Sequence, residues 1–140
     1  MKKVIIASLV LLGLMIGAYA QKGITVPTAV KNSLMKKYPE SSKVTWEKEK
    51  GNFEANWGGK SGEGNSATFT PSGNFVEIVN AIPVNELPVS VGPYVKAHFN
   101  GATIKEAGKI TNAKGKQSYE VEIKGKDLIF DLNGMYLGKD

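Results

Sequence analysis

Apolar side chains recur along this chain with two different spacings. Between Pro27 and Pro39, Val30, Leu34 and Tyr38 step by four, which aligns them on one stripe of a helix. Pro27 suits a first turn, where its missing N–H would have no partner, and Pro39 stops the helix. Val91, Val95 and Phe99 form a second stripe between Pro88 and Gly101. Pro93 falls inside that stripe, so this helix must start late or kink unless Pro93 lies in its first turn. Elsewhere the period is two. Phe53, Ala55 and Trp57 oppose Glu54 and Asn56, and Tyr119, Val121 and Ile123 oppose Glu120 and Glu122. Such alternation predicts antiparallel strands with one buried and one wet face. Gly51-Asn52, Ser72-Gly73, Lys124-Gly125-Lys126 and Asn133-Gly134 mark the hairpin turns between them.

The two halves resemble each other. Val26-Pro27 returns as Leu87-Pro88, Val44 as Ile104, Phe53 to Trp57 as Tyr119 to Ile123, and Ala67 to Phe75 as Leu128 to Tyr136. The offsets are 61, 60, 66 and 61, and they change where hairpin tips are expected. The expected fold is therefore α+β. Two tandem repeats of one helix plus antiparallel strands, about 26–79 and 87–138, would form one sheet with the helices packed on one face.

The start of the chain sets the compartment. Lys2-Lys3, an aliphatic run from Val4 to Ala18 and the small-x-small sequence Ala18-Tyr19-Ala20 read as a signal peptide, residues 1–20, cleaved after Ala20. The apolar run is shorter than the roughly 20 residues that span a bilayer, so no membrane anchor is expected to remain. The product, residues 21–140, would be a single periplasmic or secreted domain. Composition then narrows its chemistry. The whole chain has net charge +5 but contains no Arg, and its lysines alternate with glutamates, as in Trp46 to Lys50. A nucleic-acid surface would want clustered basic charge, so that class is set aside. The absence of Cys removes disulfides and thiolate chemistry, and a single His, His98, removes any mechanism that needs two imidazoles.

The remaining candidates are weak as chemistry. Glu47 with Glu49 and Glu120 with Glu122 each share a strand face. Paired carboxylates could serve glycosidic or cation chemistry, but the interleaved lysines fit a solvated sheet face equally well. Gly58 to Asn65 lacks the glycine spacing of a phosphate loop and reads as a long, flexible hairpin tip. Trp46, Phe53, Trp57, Tyr119 and Phe130 read as core. No catalytic residue, metal ligand or cofactor is assigned. The helices should cover the face of Phe53, Trp57, Tyr119, Val121 and Ile123. That would leave Glu47, Glu49, Glu54, Asn56, Glu120 and Glu122 on an open face. Trp57 at a strand end and Gly59, Lys60 and Glu63 of the tip complete a candidate partner-binding set.

The run Tyr38-Pro39, Val44 to Glu49, Phe53-Glu54-Ala55, Phe69 and Gly73, followed by Leu87-Pro88, Tyr119-Glu120-Val121, Phe130-Asp131 and Gly134, resembles the PepSY-like, beta-lactamase-inhibitor-like family. Pro93, and Glu106 at the place Trp46 holds in the first half, depart from the repeat. The resemblance implies helices against an antiparallel sheet in an exported, non-enzymatic protein. The expected function is an exported module that binds a protein or peptide in the cell envelope. Inhibition of an envelope or secreted hydrolase is an implication of the resemblance alone. The alternative is an envelope protein that binds a small ligand or a metal ion.

Overall fold

The computed structural model describes residues 23–140, so the leader and its cleavage after Ala20 lie outside the described residues. Helix α1 (Thr28–Lys37) is followed by strands β1 (Thr45–Glu49), β2 (Asn52–Trp57), β3 (Asn65–Phe69) and β4 (Phe75–Ile82). A 3-10 turn (Val84–Glu86) leads to helix α2 (Val91–His98), then β5 (Glu106–Asn112), β6 (Gln117–Ile123), β7 (Lys126–Phe130) and β8 (Tyr136–Lys139). The strands form one antiparallel sheet in chain order, β1 to β8.

This corrects the expected class. Two helices of 10 and 8 residues lie against an eight-stranded sheet, so the fold is sheet-dominated rather than a balanced α+β arrangement. Two tandem repeats are not shown either. The strands run as one continuous meander, and β4 pairs with β5 over six residue pairs at its centre, from Glu77–Asn112 to Ile82–Ala107. Hairpin pairing between neighbouring strands needs little loop closure, so the sheet rather than the helix-plus-strand unit organises the chain.

Pro27 precedes α1, and its carbonyl accepts hydrogen bonds from the Val30 and Lys31 N–H groups. The second helix starts at Val91, which places Pro93 third in the helix, where no N–H is needed. Val30 and Leu34 pack on Phe53, Ala55, Trp57, Ala67, Phe69 and Ile78. Val91 and Val95 pack on Val121, Ile123, Leu128 and Phe130. The pairings Ala55–Ala67, Ala67–Ile78, Ile82–Ala107, Ala107–Val121 and Val121–Leu128 put all of these on one face.

Two hairpin turns brace the helices. Ser33 Oγ donates to the Gly73 carbonyl at 2.7 Å, and a Cβ at Gly73, φ +88°, would lie 2.8 Å from the Ala29 carbonyl oxygen. Gly134 approaches Ser90 and Pro88 in the same manner. Gly73→Ala is therefore expected to cost about 1–3 kcal/mol in chemical denaturation from backbone strain, with the steric contact adding to it. Gly51→Ala, at φ +82° with open space around it, reports the strain alone and should cost less.

The sheet is strongly curled. Seven strand spacings of about 4.8 Å would place β1 and β8 about 34 Å apart if it were flat. Yet Lys50 Nζ, in the β1–β2 turn, lies 4.0 Å from Asp140 Oδ1, just past β8. Accumulated strand twist bends a long meander in this way. The helices occupy the outer side and the helix-free face is the concave one.

Candidate binding face

Strand register carries the helix-free positions across the sheet. Glu47 pairs with Glu54, Glu54 with Thr68, Thr68 with Glu77, Gly108 with Glu120, Glu106 with Glu122, and Glu122 with Asp127. Charge is sorted by face. On the strands the helix-free positions carry Glu47, Glu49, Glu54, Glu77, Glu106, Glu120, Glu122 and Asp127, all acidic. The helix-side positions carry Lys48, Lys109, Lys126 and Lys139, all basic.

The concave face is less open than the sequence suggests. Glu54 is 2% exposed and Glu120 0%, and Asn56 and Glu122 are also buried. Glu47, Glu49, Glu77, Glu106 and Asp127 are half-buried. The expectation of a solvated face is corrected by the curl, which turns these side chains toward one another. Asn56 Nδ2 donates to Glu54 Oε1 at 3.1 Å. Burial nevertheless pushes the Glu54 carboxyl up to about 7. Neither oxygen of Glu120 has a hydrogen-bond partner among the described residues. Burial, then the like charges of Asp127, Asp140, Glu77 and Glu54, push it up to about 10. An ionised carboxylate there would lack compensation, so at neutral pH Glu120 holds its proton.

The other predicted residues divide into two groups. Gly59, Lys60 and Glu63 adjoin the concave face at the tip. Trp57 lies on the opposite side, in the core, with its ring 5.3 Å from that of Tyr38. The tip is stitched down rather than free. The Gly64 N–H donates to Gly58 O and the Ala81 N–H to Gly64 O, both at 3.0 Å. Asn65 Nδ2 donates to Trp57 O, and Asn80 Nδ2 to Asn65 Oδ1. A Cβ at Gly64 would lie 2.8 Å from the Gly59 backbone nitrogen. Close backbone approach therefore accounts for glycine at that position.

Sequence reasoning missed Glu77, Glu106, Asp127 and Asp140. The β5 run Glu106 to Asn112 has Ala107, Gly108 and Ile110 buried on both faces, which hides its alternation. Two cavities open at the ends of the face. One of about 420 Å³ is lined by Gly59 to Ser61, Glu63, Gly64, Ala81 to Val84 and Lys105 to Ala107. The other, about 400 Å³, lies among Glu77, Ile110, Asn112, Lys116, Ser118, Ile129, Leu137 and Asp140. Among the described residues, no three acidic, His or Cys side chains are placed to hold a metal ion. His98 lies far from this chemistry, its ring stacked on Tyr94 and its Nδ1 3.0 Å from the Tyr94 carbonyl oxygen.

The family model described as "Putative beta-lactamase-inhibitor-like, PepSY-like" matches residues 60–137, more than half of the chain. The chain belongs to this family. Solved structures share this fold. One, described as a "putative periplasmic" protein from Bacteroides eggerthii, aligns with a TM-score of 0.67 at 18% identity, covering 84% of this chain and 89% of that one. A DUF2874 family protein from Bacteroides ovatus gives 0.65 at 18% identity, with the same coverage. A BLIP-like protein from Bacteroides fragilis gives 0.61 at 19%, covering 84% of this chain and 88% of that one. A search of curated proteins found no match. No helix among the described residues is long and apolar enough to cross a membrane.

Proposed function

We propose that this PepSY-like chain is a periplasmic, non-enzymatic binding module that engages a protein through the concave sheet face and the adjoining tip. The observation that carries the reading is the segregation of charge. The charged strand positions of the concave face are all acidic, whereas those on the helix side are all basic, and the lysines near the concave face lie in the loops at its ends. A surface of one sign selects partners of the other and speeds their encounter. The basic leader with its small-x-small site and the periplasmic description of a structural neighbour support the compartment. The inhibitor-like description of the family supports a protein as the partner. Inhibition of an envelope hydrolase is the corresponding activity to assay.

The test is affinity capture from envelope extract. Glu47→Lys combined with Glu106→Lys changes two half-buried carboxylates and leaves the buried ones in place. It should weaken retention of the captured protein more than tenfold, about 1.4 kcal/mol. Unchanged retention would move the binding surface to the helices.

A further inference from the structure

We infer that the 420 Å³ cavity at the tip end of the concave face receives a lysine or arginine side chain of the protein partner. This inference rests on the proposed reading and names the chemistry of the contact. One wall is apolar, formed by Ala81, Pro83 and Val84, and Val84 is 42% exposed. The other wall carries two half-buried carboxylates, Glu63 and Glu106, with the exposed Lys60 and Lys105 at the rim. An aliphatic stem that ends in a cation matches both walls, because lysine and arginine lay their methylenes on apolar surface and keep the charged head at a polar group. The volume falls near the lower end of the roughly 300–1,000 Å³ typical of ligand sites, which leaves room for a long side chain.

Two further features point the same way. Glu63 and Glu106 are both pushed up, first by burial. For Glu63 the charges of Glu106, Glu47 and Glu122 add to this, and for Glu106 that of Glu122, partly offset by Lys105. A cation placed between them would relieve that repulsion. Away from the cavity the row continues through Glu122 to the protonated Glu120, whose carboxyl is fully buried without a hydrogen-bond partner among the described residues. The chain's own rim lysines fill the role only in part: the Lys105 charge partly offsets the repulsion on Glu106, but neither Lys60 nor Lys105 comes within ion-pair distance of a carboxylate among the described residues. A chelated metal is disfavoured because the acidic groups do not converge on a point.

The experiment uses amide NMR of the purified protein with four probes: n-butylguanidinium, n-butylammonium, n-butanol and calcium chloride. The two organic cations should shift the amides of Gly64, Ile82, Val84 and Glu106 in a saturable way, with n-butanol at least tenfold weaker. Glu63→Gln with Glu106→Gln should weaken the cations at least tenfold while leaving the remaining amide spectrum in place. A short peptide with one central lysine should bind at least as tightly as n-butylammonium, which distinguishes a protein side chain from a free amine. Equal shifts from n-butanol, preferential response to calcium, or insensitivity to the double substitution would each overturn the inference. Capture of an envelope protein that depends on Glu47 and Glu106, together with no response to the organic cations, would sink this inference and leave the proposed function standing.

Discussion

Glu120→Gln is expected to match the parent protein in stability near pH 4 and to exceed it by about 3 kcal/mol or more at pH 8.5. The parent carboxyl goes from an ordinary 4.5 to about 10 in the fold. Between those values the native chain holds a proton that the unfolded chain has released. Stability is then fully present below about pH 4.5 and is lost as pH rises toward 10, at up to about 1.4 kcal/mol per pH unit. Glutamine keeps the shape and cannot ionise, so this contribution to the slope disappears. Glu54, raised to about 7, adds a second and shorter decline from about pH 4.5 to 7 that the variant retains. Urea unfolding at pH 4, 6 and 8.5 measures both. Parallel pH profiles for the two proteins would mean that Glu120 is ionised in the folded chain.

Phe130→Ala should cost about 3–5 kcal/mol, the usual range for removing a buried aromatic side chain. Phe130 is fully buried on β7 beneath α2. Its ring packs edge-on to Tyr94 at 5.7 Å and lies 5.5 Å from Tyr136. Val91, Val95 and Leu128 around it are also fully buried, so little can move in to fill the space. The pH slope assigned to Glu120 should survive, because Phe130 lies on the other side of the sheet. Denaturation at pH 6 tests the magnitude, and a loss below about 1 kcal/mol would show that the surrounding rings collapse into the gap.

Much of the fold was legible because its signals are local. Val30 with Leu34 and Val91 with Val95 reveal helix stripes by spacing alone, and Phe53 to Trp57 and Tyr119 to Ile123 reveal strands by alternation. The shared face of Glu120 and Glu122 follows from the two-residue period. The class was misjudged because the same local signals do not say how many strands join one sheet. The similarity between the halves suggested two helix-plus-strand repeats sharing one sheet; one sheet forms, but as an eight-strand meander that dominates the fold and does not show the repeats. Part of the site was missed for a related reason: β5 is apolar on both faces around Gly108, so nothing in its pattern marked Glu106.

The sequence by itself determined which residues of a strand share a face, including the Glu47–Glu49 and Glu120–Glu122 pairs of the helix-free one, and where the helices stop, since each depends on neighbours a few positions apart. Tertiary structure alone decided how wet that face is. Burial of Glu120 requires strands far apart in the chain to bend toward one another, bringing Lys50 to Asp140 and Glu120 within the field of Glu54, Glu77, Asp127 and Asp140. That bend sums the twist of eight strands, a quantity no window of sequence contains. It turns the carboxylates into a recessed wall and raises the proton affinity of Glu54, Glu63, Glu106 and Glu120.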